Sequence, residues 1–251
     1  MIAERRAGIV LLLREGMGPL LVLFAWDIVV VLLFQLAHRP WMDQPALPYS
    51  LIGSALVLFL NVRNTTAYNR WWEARTLWGS VTNNTRSFSR QAATLLGGAP
   101  ELTRAMIGFA HALRGGLRGN DVSLQVESFL PPDMAERIRG HRNQATAILH
   151  EIGLAARERA EARGVHPAAQ AEIDRMLSDL SNAQGGLERI RNTPLAVQFS
   201  ALPRMLVHVF CLVLPLSMVQ ELGWITPFGS ALAGFLSVSY THLTLPTNRE
   251  V

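Results

Sequence analysis

Asn61-Val62-Arg63-Asn64-Thr65-Thr66-Ala67-Tyr68-Asn69-Arg70-Trp71-Trp72-Glu73-Ala74-Arg75 joins an apolar run, Leu47 to Val62, to a polar segment that carries Arg70, Arg75, Arg86 and Arg90. The apolar side has the composition of a buried or lipid-facing helix, and the arginine-rich and tryptophan-rich side that of a solvated one. A helix that passes from one to the other without a break is how a membrane-spanning segment continues into the water beyond the bilayer.

Composition supports that reading. Of the 251 residues, 49% are hydrophobic and the mean hydropathy is +0.20, above the usual soluble domain. The apolar residues gather toward the two ends, while the middle, from about Arg63 to Arg191, is dense in charge. All 23 residues of the Lys+Arg count are arginine. That removes Schiff-base amines, phosphate-loop lysines and lysine acetylation from consideration. A net charge of +4 suits nucleic acid and the cytoplasmic face of a membrane alike. The apolar runs favour the membrane, so a lipid bilayer is expected as partner and nucleic acid is not. The one cysteine, Cys211, lies in an apolar run and reads as a small buried hydrophobe, with neither a disulfide framework nor a thiolate metal site.

Four membrane helices are expected. The first, about residues 17–37, has some 21 apolar residues, enough to cross a ~30 Å hydrocarbon core at ~1.5 Å per residue. It is too long for a signal core and no small-residue cleavage site follows it. Asp27 within it is costly in lipid and is expected to face protein or water. The second runs over residues 47–62, after a Pro-rich turn. The third, 205–224, holds Pro215, a kink former. The fourth, 226–238, is apolar for only about 14 residues, short of a span, and reads as truncated. We expect residues 1–236 to form a single unit, with the native sequence ending near Leu236 and residues 237–251 a non-native tail.

Arg5, Arg6 and Arg14 precede the first span and Arg63, Arg70, Arg75, Arg86 and Arg90 follow the second, which places the N-terminus and the middle region in the cytoplasm. The expected compartment is a plasma membrane. The cytosolic region, about 63–200, reads as helices over 65–96, 101–117, 143–163 and 167–191, separated by glycine and proline at residues 97–100, 115–116, 131–132 and 164–167. Only Val122 to Val126 alternates as a strand would. The fold class is therefore an all-α membrane protein with a cytosolic helical domain.

Three phrases resemble the bacterial bestrophin-like proteins, relatives of the animal bestrophin channels. They are Leu58-Phe59-Leu60-Asn61-Val62-Arg63-Asn64 leading to Tyr68-Asn69-Arg70-Trp71-Trp72-Glu73-Ala74-Arg75, then Gly186-Leu187-Glu188-Arg189-Ile190-Arg191-Asn192-Thr193-Pro194, then Phe210-Cys211-Leu212 through Leu222-Gly223-Trp224 with Thr226-Pro227. The resemblance implies a homopentameric channel for monovalent ions, cation or chloride, without cofactor or metal. It carries the pore neck to Ser54, Leu58 and Val62 on the second membrane helix and the cytosolic constriction to Leu195. Spacing of four keeps the three neck residues on one helical stripe, although aliphatic residues at that spacing commonly pack within a core. Ser54 is small and polar and Val62 stands where the family has an aromatic ring, so the neck is expected to be wider and wetter than the family norm. Ala196 replaces a usual second proline. Arg70, Trp71, Trp72, Glu73, Asn192 and Pro194 are read as a structural motif, with Arg70, spaced to meet Glu73 or Ala74, anchoring the helix or pairing locally and the indoles at the membrane interface. The family's acidic calcium segment has no counterpart here, so calcium gating is not inferred.

Two other classes compete. A haem or quinone enzyme would draw on His38, His111, His150 or His208, of which only His208 lies in an apolar run, without a facing ligand. Hydrolase and phosphate-loop motifs are absent. A non-conducting scaffold would use the arginine-rich helices to dock a cytosolic partner.

Overall fold

The computed structural model describes residues 18, 21–36, 47–194 and 197–243, and every regular element among them is helical. In order these are α1 (Leu21–Leu36), α2 (Leu47–Leu95), α3 (Pro100–Arg118), α4 (Ser123–Glu127), α5 (Pro132–Ile138), α6 (Gln144–Ala162), α7 (Pro167–Asn192), α8 (Val197–Leu222), a 3-10 turn (Gly223–Ile225) and α9 (Thr226–Leu243). The stretch that decided the reading lies in the middle of α2, a single 49-residue helix. The chain divides into two compact units. One comprises Met1–Tyr68 with Leu195–Thr247 and the other Asn69–Pro194, against the expected limits of about 63 and 200 for the cytosolic region.

In the first unit α1, the start of α2, α8 and α9 pack together. Val30 and Val31 bury against Val219, and Leu56 against Val207 and Cys211. Gly53 lets Phe210 approach closely, since an added Cβ would stand 3.4 Å from its ring. Phe24 meets Phe228 edge to face at 6.1 Å, and Trp26 Nε1 donates to the Leu212 carbonyl at 2.9 Å. Asp27 is fully buried and accepts from Ser230 Oγ at 3.0 Å, so it faces protein, as the cost of a carboxylate in lipid demands. Among the described residues, most large exposed apolar side chains belong to this unit, among them Leu21, Leu32, Leu36, Leu51, Val57, Met205 and Phe228. By length and composition, the helical stretch Ala201–Phe235 is long and apolar enough to cross a membrane, and Leu21–Leu36 is a shorter apolar helix. α9 continues past the expected limit at 238 to Leu243; residues 244–251 of the expected tail lie outside the described residues.

The second unit has its own core, centred on Phe88, Phe109, Ile148, Ile152, Leu180 and Leu187. Its helices begin and end where local chemistry requires. α3 opens with Pro100 and closes at Gly119, whose φ of 69° only glycine adopts without strain. α6 is capped by Asn143, which accepts from Thr146 N at 3.1 Å. α7 opens on Pro167 and buries Ile173, Met176, Leu180, Ala183, Leu187 and Ile190 along one face. The strand-like reading of Val122 to Val126 is corrected. Asp121 Oδ1 accepts from Ser123 N at 3.0 Å and from Ser123 Oγ at 2.7 Å. That local turn starts the short helix α4, overriding the alternation.

Candidate functional site

Ser54, Leu58 and Val62 lie on the exposed side of the first half of α2, with Leu58 keeping 62% and Val62 43% of its surface. Aliphatic side chains left that open are not packing positions within one copy of the chain. Ser54 Oγ donates to the Ser50 carbonyl one turn back at 2.8 Å, so its hydroxyl proton is used inside the helix.

Counted in sevens from Leu58, the positions Leu58, Thr65, Trp72, Gly79, Arg86 and Ala93 are all exposed, and counted from Val62 so are Val62, Asn69, Thr76, Asn83 and Arg90. Counted from Ser54, exposure holds through Asn61, Tyr68, Arg75 and Thr82 and gives way to half-buried Ser89 and buried Leu96; counted from Val57, it gives way to buried Ala92. A straight helix drifts by ~20° per seven residues, which is the direction these two series take.

Within the second unit, the two family-like phrases meet although some 120 residues separate them. Arg70 Nη1 donates to the Thr193 carbonyl at 2.6 Å and Nη2 to the Ile190 carbonyl at 2.7 Å. These are the carbonyls left open at the end of α7, where a cation is favoured by both hydrogen bonding and the helix dipole. Glu73, one turn on, pairs with Arg189. Arg70 therefore reaches across to α7 and does not pair with Glu73 along its own helix. Gly186 permits the close approach of the two helices, since a Cβ there would come within 2.8 Å of Leu77 Cδ1. Two further contacts fix the end of α7: Arg191 Nη1 donates to the Gly116 carbonyl, and Glu188 Oε1 accepts from Asn143 Nδ2 at 2.9 Å and Gln184 Nε2 at 2.8 Å. Asn192 and Pro194 follow as exposed residues. Leu195 lies outside the described residues.

Trp71 and Trp72 are partly open, with ring centroids 6.1 Å apart, and the Arg75 guanidinium lies 5.6 Å from the Trp71 ring. Asn84 Nδ2 donates to Ser80 Oγ at 3.2 Å, while Asn83 and Arg86 point outward. Near the end of α7, the two hydrogen bonds from Ser123 hold the Asp121 carboxyl below the usual carboxylate range. His111 stacks on Phe129 at 5.1 Å. Among the described residues, no three His, Cys, Asp or Glu side chains cluster so as to hold a metal. Sequence reasoning missed the clasp of Arg70 and Glu73 on α7.

Residues 12–244 match the family model described as Bacterial/Fungal Bestrophin protein. Among curated relatives, a voltage-dependent anion channel-forming protein of Ralstonia nicotianae is 37% identical over 199 residues, covering 77% of this chain and 65% of the relative. The protein of that description named YneE in Escherichia coli is 31% identical over 201 residues, covering 79% of this chain and 64% of the relative. The chain thus spans just under two thirds of the length of these relatives. Among solved structures, a bacterial bestrophin homolog from Klebsiella pneumoniae aligns with a TM-score of 0.82 at 26% identity, covering 93% of each chain.

Proposed function

Starting from the fact that the chain belongs to the bacterial and fungal bestrophin family, we propose that it forms a homopentameric channel for monovalent ions in the bacterial inner membrane, with the neck at Ser54, Leu58 and Val62. The observation that carries this reading is the open apolar stripe on the first half of α2. Leu58 and Val62 keep 62% and 43% of their surface open, and a ring of copies would gather those side chains around one axis. α1, the first half of α2, α8 and α9 supply the four spans, and the arginines before α1 and along α2 keep the N-terminus and the second unit on the cytoplasmic side. The Arg70 and Glu73 clasp holds the end of α7, and Leu195 serves as the cytosolic constriction. An uncharged neck passes ions by wetting and does not choose their sign. The curated relatives are named for anion channels, and we take a small anion such as chloride as the carried ion. The protein is a channel and not an enzyme, in keeping with its family and the names of its relatives.

The test is the reversal potential of the purified protein in a planar bilayer under an asymmetric NaCl gradient. Reversal near the chloride potential is expected. Reversal near the sodium potential makes it a cation channel, and no current from correctly assembled protein supports the scaffold reading in its place.

A further inference from the structure

A cavity of about 660 Å³ opens within the second unit, where the end of α3, the turn into α4, the start of α6 and the last turn of α7 converge. Four charged side chains line it: Asp121 before α4, Arg142 before α6, and Glu188 and Arg191 on α7. Leu113 and Leu117, both buried, give it an apolar wall.

The four charges do not neutralise one another. Among the described residues none of them takes part in an ion pair. Asp121 receives both hydrogen bonds from Ser123 on Oδ1, and Glu188 receives those of Asn143 and Gln184 on Oε1, so Oδ2 of the one and Oε2 of the other stay open. Arg191 gives Nη1 to the Gly116 carbonyl and keeps the rest of its donor fork. Among the described residues Arg142 makes neither a hydrogen bond nor an ion pair. The cavity between α3, α5 and α6 differs: there Arg137 pairs with Asp133 and Glu151, and Arg159 with Glu101. In that cavity the protein answers its own arginines, and in the first it leaves charge of both signs open.

Two guanidiniums and two carboxylates sum to zero. A simple anion drawn to Arg142 and Arg191 would also meet the fields of Asp121 and Glu188, and a simple cation the reverse. A molecule that carries both a carboxylate and an ammonium group meets each charge with its opposite. The guanidinium fork suits a carboxylate, the open carboxylate oxygens accept from an ammonium, and the apolar wall takes a short aliphatic stem. We propose that this cavity binds a small neutral zwitterion of the amino-acid class, with its carboxylate on Arg142 and Arg191 and its ammonium on Asp121 and Glu188. The site draws on the second unit alone and does not depend on the neck assignment. Arg142 and Asp121 are exposed, so water screens part of each contact, and a dissociation constant on the order of 1 mM is expected.

The experiment follows the thermal unfolding midpoint of the full chain in detergent as L-alanine is added to about 30 mM at constant ionic strength, since a ligand of the folded state raises the midpoint by mass action. Acetate and methylammonium, the two halves of the zwitterion, are titrated alongside. The expected result is a saturable rise with L-alanine and responses about tenfold weaker to either half alone. Arg142→Gln, which breaks no internal contact, is expected to weaken L-alanine about tenfold. Glu188→Gln keeps an oxygen for Asn143 and Gln184 while losing the charge, and is expected to do the same. Arg157→Gln, taken from an exposed ion pair elsewhere on α6, leaves the titration unchanged. No saturable response to L-alanine overturns the inference. Acetate or methylammonium binding as tightly as L-alanine overturns it too, by showing a site for a simple ion. L-alanine binding that either folded variant leaves within about twofold of wild type, well short of the loss expected for a charged contact, puts the ligand elsewhere and likewise overturns it.

Discussion

Arg70→Ala removes the two hydrogen bonds that hold the last open carbonyls of α7, at 2.6 Å to Thr193 and 2.7 Å to Ile190. Hydrogen bonds from charged groups contribute about 1.5–3 kcal/mol each in favourable settings. Arg70 is only half-buried and water can replace part of each bond, so the pair together contributes about 2 kcal/mol. At 1.36 kcal/mol per factor of ten, that corresponds to roughly 30-fold more frequent opening of the α7 end. Hydrogen exchange on the assembled protein in detergent reads this directly. Amides of residues 189–193 are expected to exchange about 30-fold faster in Arg70→Ala, while those around Leu180, in the middle of α7, change little. Arg70→Lys restores less than half of the effect, because an ammonium is a point donor and cannot span two carbonyls as the guanidinium fork does. Exchange at residues 189–193 within twofold of wild type would refute the argument that Arg70 caps α7.

Val62→Phe narrows the proposed neck and is expected to lower single-channel conductance, and an unchanged or larger conductance counts against the neck assignment. Phe88, fully buried in the core of the second unit, is expected to cost about 3–5 kcal/mol on replacement by alanine, read as a fall in the thermal unfolding midpoint of several degrees. Asp121 has a folded-state carboxyl held below its ordinary value by the Ser123 hydrogen bonds. Its stabilising contribution is therefore present above the unfolded carboxylate pKa, near 3.9, and is lost as pH falls through the lower folded value. Asp121→Asn is expected to melt below wild type at pH 7 and to converge with it as pH drops below about 4; a difference that persists unchanged at low pH contradicts the assignment.

Helix extents were legible wherever the chemistry is local. Gly97 and Gly98, at φ of 77° and 76°, sit at the break read after residue 96, and Gly119, Gly164 and the prolines that open α3 and α7 mark the other ends. Each acts on its own backbone, so a reader of the chain sees the whole cause. The same holds for the unbroken passage of α2 from apolar to charged, in which no residue interrupts the hydrogen-bond ladder. Val122 to Val126 escaped because a single Asp121 carboxylate, bonding two residues ahead, outweighed the side-chain alternation.

Pairings between distant segments were not legible. Glu73 is spaced to pair with Arg70 on one helix, and nothing in either phrase says that both turn instead to α7. That choice depends on Gly186 letting the helices close on Leu77, a fact of packing. Likewise the arginines of α2 are plain in the sequence as charge near a membrane. Which of them stay open emerges only from burial, because helical phase over 49 residues is set by what the helix packs against: between a period of 3.6 and one of 3.5, a drift of ~20° per seven residues carries a side chain from one face to another over that length.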